Sequence, residues 1–136
     1  MMNETSIGLL VRQGDTEWIE TAGGNSLKIL RVSEETGSWS ALFKAEPGTV
    51  NPPHVHLGPA DFYVITGSIE YRGGVARAGD WVYEPNGAVH EATQHSEETI
   101  YLGNVHGPMA FLDDDGEVAY VQDWRAIKAM KDAVDG

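Results

Sequence analysis

The sequence predicts an all-β single domain, a barrel or jelly roll closed by one short C-terminal helix. Three observations carry that expectation. Glycine punctuates the chain at short intervals, among them Gly37, Gly48, Gly58, Gly67, Gly73-Gly74, Gly79, Gly87, Gly103, Gly107 and Gly116. Between these glycines lie short runs rich in β-branched and aromatic residues, and short strands separated by turn residues build sandwiches and barrels. Only the end of the chain has helical periodicity.

Taken in order, Leu27–Val32 and Trp39–Lys44 read as the first two strands, and His54-Val55-His56 continues as an extended segment after Pro52-Pro53. Phe62–Thr66, Gly79–Tyr83 and Thr99–Val105 follow as further strands. Asp123 is a helix N-cap by residue type, and Trp124, Ile127, Met130 and Val134 recur at helical spacing after it. Residues 1–136 thus read as one domain, with a β core over about 27–121 and a helix over about 124–134. No repeat and no Pro/Ser-rich linker divides it.

Composition narrows the function. The 136 residues contain no cysteine, which excludes disulfides, zinc ribbons, iron–sulfur clusters and thiol nucleophiles. Any transition metal must be held by His, Asp or Glu. Nine basic against 21 acidic residues give a formal charge of −12, a field that repels phosphate backbones and anionic lipid. Neither nucleic acid nor a membrane is an expected partner. No apolar run approaches the roughly 20 residues of a membrane span. The opening residues Met1-Met2-Asn3-Glu4 lack the basic and apolar regions of a secretory signal, so a cytoplasmic location is expected.

Five histidines are present, at 54, 56, 90, 95 and 106. On a strand, positions i and i+2 share a face, so the imidazoles of His54 and His56 can converge on one ion. The first segment follows the pattern G-x5-H-x-H, from Gly48 through His54 and His56, with Gly67 downstream. A second runs Gly79-Asp80-Trp81-Val82-Tyr83-Glu84-Pro85-Asn86-Gly87-Ala88-Val89-His90, the pattern G-x5-P-x-G-x2-H. These two segments, in this order on a short chain, resemble the paired motifs of the cupin superfamily. The resemblance implies a cupin jelly-roll β-barrel in which His90 meets His54 and His56 as metal ligands.

The usual cupin motif carries a metal-binding glutamate seven residues before its glycine, and here that position is Ala60. Asp61 is adjacent but belongs to the opposite face of a strand, and reads as a non-ligand. Gln94 stands where the late asparagine of the motif is expected. The implied site is therefore three histidines with open positions. Pro52-Pro53-His54-Val55-His56-Leu57-Gly58-Pro59, Glu70-Tyr71-Arg72-Gly73-Gly74 and Gly107-Pro108-Met109-Ala110-Phe111-Leu112-Asp113-Asp114-Asp115-Gly116 are similar to segments of the three-histidine acetylacetone-cleaving and 2,4'-dihydroxyacetophenone dioxygenases.

That similarity, over about residues 40 to 128, implies a mononuclear non-haem Fe(II) and a C–C bond-cleaving dioxygenase acting on a small diketone or hydroxy-ketone with O2. It also implies an outer shell in which Glu84 orients a histidine ligand, Arg72 pairs with Glu84 or holds an enolate oxygen, and Thr93 adds a polar contact. Imidazole suits Zn and Ni as well as Fe, so the ligand set leaves the metal open. Two rivals follow: a non-catalytic, ligand-sensing cupin, and a Zn or Ni cupin with isomerase or hydrolase activity. His95 and His106 fit neither motif and read as surface or structural residues. Tyr63, Tyr83, Tyr101 and Phe111 read mostly as core, with one or two lining the pocket. Open sheet edges need covering, so a homodimer is expected.

Overall fold

The computed structural model describes residues 8–71, 74–90 and 92–135. The chain forms β1 (Ile19–Glu20), β2 (Asn25–Val32), β3 (Trp39–Ala45), β4 (Val50–Asn51) and β5 (His54–His56). It continues through β6 (Ala60–Thr66), β7 (Ser68–Tyr71), β8 (Gly74–Arg77), β9 (Trp81–Glu84) and β10 (Val89–His90). Then come β11 (Thr93–Gln94), β12 (Thr99–Val105), β13 (Met109–Leu112), β14 (Val118–Gln122) and the helix α1 (Trp124–Asp135).

Among the described residues the strands β1–β14 pair antiparallel and fall into three ladders. The largest has the order β1-β2-β3-β12-β6-β9, and two four-stranded ladders run β10-β5-β13-β14 and β4-β11-β7-β8. All three contribute walls to one central cavity, which is consistent with the expected jelly roll, and among the described residues no single continuous ladder closes a barrel around it.

The sharp corner between β6 and β7 explains one glycine. Gly67 has φ +80°, and a Cβ there would sit 2.3 Å from the Glu98 carbonyl oxygen. Only a residue without a side chain can turn there and keep β12 close.

Alternation sorts each strand into inner and outer residues. Leu27, Ile29, Trp39, Ala41, Ala60, Val105, Met109 and Ile127 form the main core cluster, and Val64, Ile69 and Ala76 a smaller one. The helix begins where its cap predicts: Asp123 Oδ1 accepts the Arg125 backbone N–H at 3.0 Å. Ile127 is fully buried, Met130 packs against the core, and Val134 at the far end is exposed.

Two expectations need correction. Tyr63 and Tyr83 are not core residues: they are 47% and 54% exposed, with Trp81 beside them on the outer face of β6 and β9. Phe62 and Val82 occupy the inner positions instead, because one-residue alternation sends their neighbours outward. The strand expected from Gly79 starts at Trp81, since Gly79 has φ +93° and belongs to the preceding turn.

Candidate functional site

The second motif reaches the first through its turn. The Ala88 N–H donates to the Pro85 carbonyl at 3.1 Å, closing a tight turn over residues 85–88. That turn bonds to the middle of the first motif: the Gly87 N–H donates to the His56 carbonyl at 2.8 Å, and the His56 N–H to the Ala88 carbonyl at 3.0 Å. β10 then pairs with β5 so that His90 lies directly opposite His54 in register. Residues 34 or more positions apart are thereby neighbours in one ladder.

His54 and His56 share the inner face of β5, as the i, i+2 spacing requires. Their ring centroids are 4.9 Å apart at 71°. His56 is 0% exposed. On the other side of β5, Phe111 is opposite His54 and Met109 opposite His56, and both line the cavity. The His54 Nδ1 lies 3.2 Å from the Pro52 carbonyl. A carbonyl only accepts, so Nδ1 carries the hydrogen and Nε2 keeps its lone pair. A ring held in that tautomer is ready to ligate a cation, so the donor chemistry fits a metal.

Glu84 is 2% exposed, at the end of β9 and opposite Ala60. It shares the inner face with Val82, so it is a buried carboxylate rather than an exposed turn residue. Thr93 is buried on β11, lines the cavity and accepts a long hydrogen bond of 3.4 Å from Asn51 Nδ2. Arg72 and the side chain of His90 lie outside the described residues. Asp61 faces away from the cavity, where its carboxylate accepts Asn104 Nδ2 at 3.0 Å. His106 is on that outer side too, 3.1 Å from the Ser38 hydroxyl.

The cavity has a volume of about 230 Å³. Its walls are apolar and aromatic, with Trp39, Phe43, Phe62, Tyr101 and Phe111 prominent, and His54 opens onto it. Tyr101 stacks on Phe43 at 4.9 Å, and burial pushes its hydroxyl pKa up. One polar seam crosses this surface, and the histidine patterns gave no hint of it. Asn25 Nδ2 donates to Asn51 Oδ1 at 2.8 Å, Asn51 Nδ2 meets His95 Nε2 at 3.2 Å, and His95 Nδ1 meets the Ser68 carbonyl at 2.9 Å. His95 is thus a buried structural residue, one of the two roles expected for it. Desolvation lowers its pKa, opposed in part by the Ser68 bond and the charge of Glu70.

The chain belongs to the ChrR cupin-like domain family, which matches residues 7–110. It is 33% identical over 108 residues to an acetylacetone-cleaving enzyme of Acinetobacter johnsonii, covering 75% of this chain and 71% of that protein. The crystal structure of an acetylacetone dioxygenase from Acinetobacter johnsonii superposes with a TM-score of 0.83 at 27% identity, over 97% of this chain and 95% of the other. An RmlC-like cupin protein from Ralstonia eutropha gives a TM-score of 0.85 at 26% identity, over 97% and 87% of the two chains.

Proposed function

We propose that this protein is a metal-dependent dioxygenase that cleaves a carbon–carbon bond in a small diketone or hydroxy-ketone. The observation that carries the proposal is the meeting of the two motifs: His56 is bonded through its backbone to the turn before His90, and His90 is opposite His54 beside an apolar cavity. The likeness to an acetylacetone-cleaving enzyme supports the same reaction class.

In this reading His54, His56 and His90 hold Fe(II). When bound, the iron supplies the redox step that O2 chemistry needs and a positive charge that favours an enolate. The chain's own residues do the rest. Pro52 fixes the His54 tautomer through its carbonyl. Glu84, buried on the inner face, orients a ligand ring or takes up a proton. Arg72 and Thr93 meet the substrate oxygens. Phe111, Phe62 and Trp39 exclude water, so that charge on the substrate is answered by fixed protein groups.

The decisive experiment is metal analysis after aerobic and anaerobic purification, coupled to oxygen uptake on a panel of β-diketones and hydroxyacetophenones. The Fe(II) form should consume oxygen and the Zn form should not, because Zn has no accessible redox step. Absence of uptake by the Fe(II) form across the panel would overturn the dioxygenase and favour a ligand-sensing role.

A further inference from the structure

The polar seam in the cavity wall has one consistent hydrogen-bond polarity. Backbone carbonyls anchor both ends, and carbonyls only accept. At one end Asn25 Nδ2 donates to the Ala22 carbonyl at 3.1 Å as well as to Asn51 Oδ1. At the other, the Ser68 carbonyl requires the hydrogen of His95 on Nδ1, which leaves Nε2 as the acceptor. Asn51 must therefore present its NH2 group to His95 and its oxygen to Asn25. Both amide hydrogens of Asn51 are then committed, one to His95 Nε2 and one to Thr93 Oγ1.

Thr93 receives a hydrogen from Asn51, so its own hydroxyl hydrogen has to go elsewhere. Among the described residues nothing accepts it, and Thr93 lines the cavity. Tyr101 is in the same position. Its ring is held between Phe43 at 4.9 Å and His95 at 6.0 Å, it lines the cavity, and its hydroxyl has no hydrogen-bond partner among the described residues. Two hydroxyl donors, from different ladders, are thus unspent in an otherwise aromatic chamber. Both residues line the cavity, so an acceptor atom on a ligand in the chamber meets two hydroxyl donors there.

We propose that Tyr101 and Thr93 are substrate-positioning donors for a carbonyl or enolate oxygen of a ketone with an apolar or aryl substituent, and that His95, acting through Asn51, is the positioning residue that sets the direction of Thr93. The proposal deepens the dioxygenase reading and rests on its assignment of the cavity as the substrate site. It selects ligands by polarity: an oxygen acceptor is welcomed at this wall, and a donor in its place meets two donors.

The test is binding of benzoylacetone to the zinc-loaded full chain, followed by calorimetry, which needs no oxygen chemistry. Y101F keeps the ring and its stacking and removes only the hydroxyl. It should weaken binding about 10-fold, the effect of losing one hydrogen bond to a charged oxygen. H95L should also weaken binding. H95Q, which restores a donor for Ser68 and an acceptor for Asn51, should recover what H95L loses. Wild-type affinity in Y101F overturns the proposal, and so does an H95Q protein as weak as H95L. Failure of the wild-type zinc form to bind benzoylacetone overturns it as well. None of these results depends on oxygen uptake by the iron form, which judges the reaction separately.

Discussion

At the scale of single residues, burial separates two carboxylates carried by paired strands. Glu84 and Asp61 are both strand carboxylates near a histidine motif, yet one is buried inside and the other bonded to Asn104 on the outer face. Glu84→Gln keeps the shape and removes the charge. In the proposed site it should leave metal content unchanged and lower turnover about 10–100-fold, the usual cost of disturbing a group behind a metal ligand. Equal kinetics in the variant would strip Glu84 of that role. His95 makes a prediction about pH. Burial lowers its native pKa, with Glu70 the nearby charge opposing the shift, while the unfolded chain takes up the proton near the ordinary value of about 6.5. Below that value the unfolded state binds more protons, so stability is complete above about pH 6.5 and declines as the pH falls toward the lower native pKa. Urea midpoints at about pH 7.5 and 5.5 should therefore separate more in wild type than in H95Q, which cannot titrate.

At the scale of elements, the long strands were legible and the short ones were not. Thr99–Val105 matches β12 residue for residue, because a seven-residue run rich in β-branched and aromatic residues has room to show its pattern and its limits. β10 and β11 have two residues each, too few for any periodicity, and both carry candidate site residues. The candidate histidine ligands were legible as a pair of motifs. Their register was not, since it depends on the turn over residues 85–88 gripping His56. Nor was the role of His95, whose partners Ser68 and Asn51 lie 27 and 44 positions away. Tyr63 and Tyr83 were misassigned because an aromatic residue suits either face of a strand. β12 also shows how tightly the central sheet is built. A Cβ on Gly103 would lie 2.5 Å from the Phe43 ring and 3.0 Å from Phe62. Gly103→Ala should cost about 1–3 kcal/mol in denaturant titrations, because both rings wall the cavity and must shift to admit it. An unchanged midpoint would mean that the rings retreat freely into the empty space.

At the scale of the whole molecule, metal and fold should be linked. The proposed ligands come from two strands joined by one short ladder, and an ion that binds only the folded chain stabilises it by mass action. At a free metal concentration of about 100 times Kd the gain is about 2.7 kcal/mol, or roughly 10 °C in Tm. Scanning calorimetry with and without a chelator should show that difference in wild type, in His95→Gln and in His106→Ala. His54→Ala, His56→Ala and His90→Ala should abolish it, and an equal response from all five would refute the three-ligand assignment. The position of Trp39 has an optical consequence. This indole is buried in the cavity wall, and its N–H has no hydrogen-bond partner among the described residues, whereas Trp81 stands in solvent on the outer face of the sheet. An indole in dry, apolar surroundings emits at shorter wavelength than one that water can reorganise around. The blue edge of the protein's fluorescence is therefore a natural gauge of what occupies the chamber, while the red edge belongs to the exterior and supplies a constant reference.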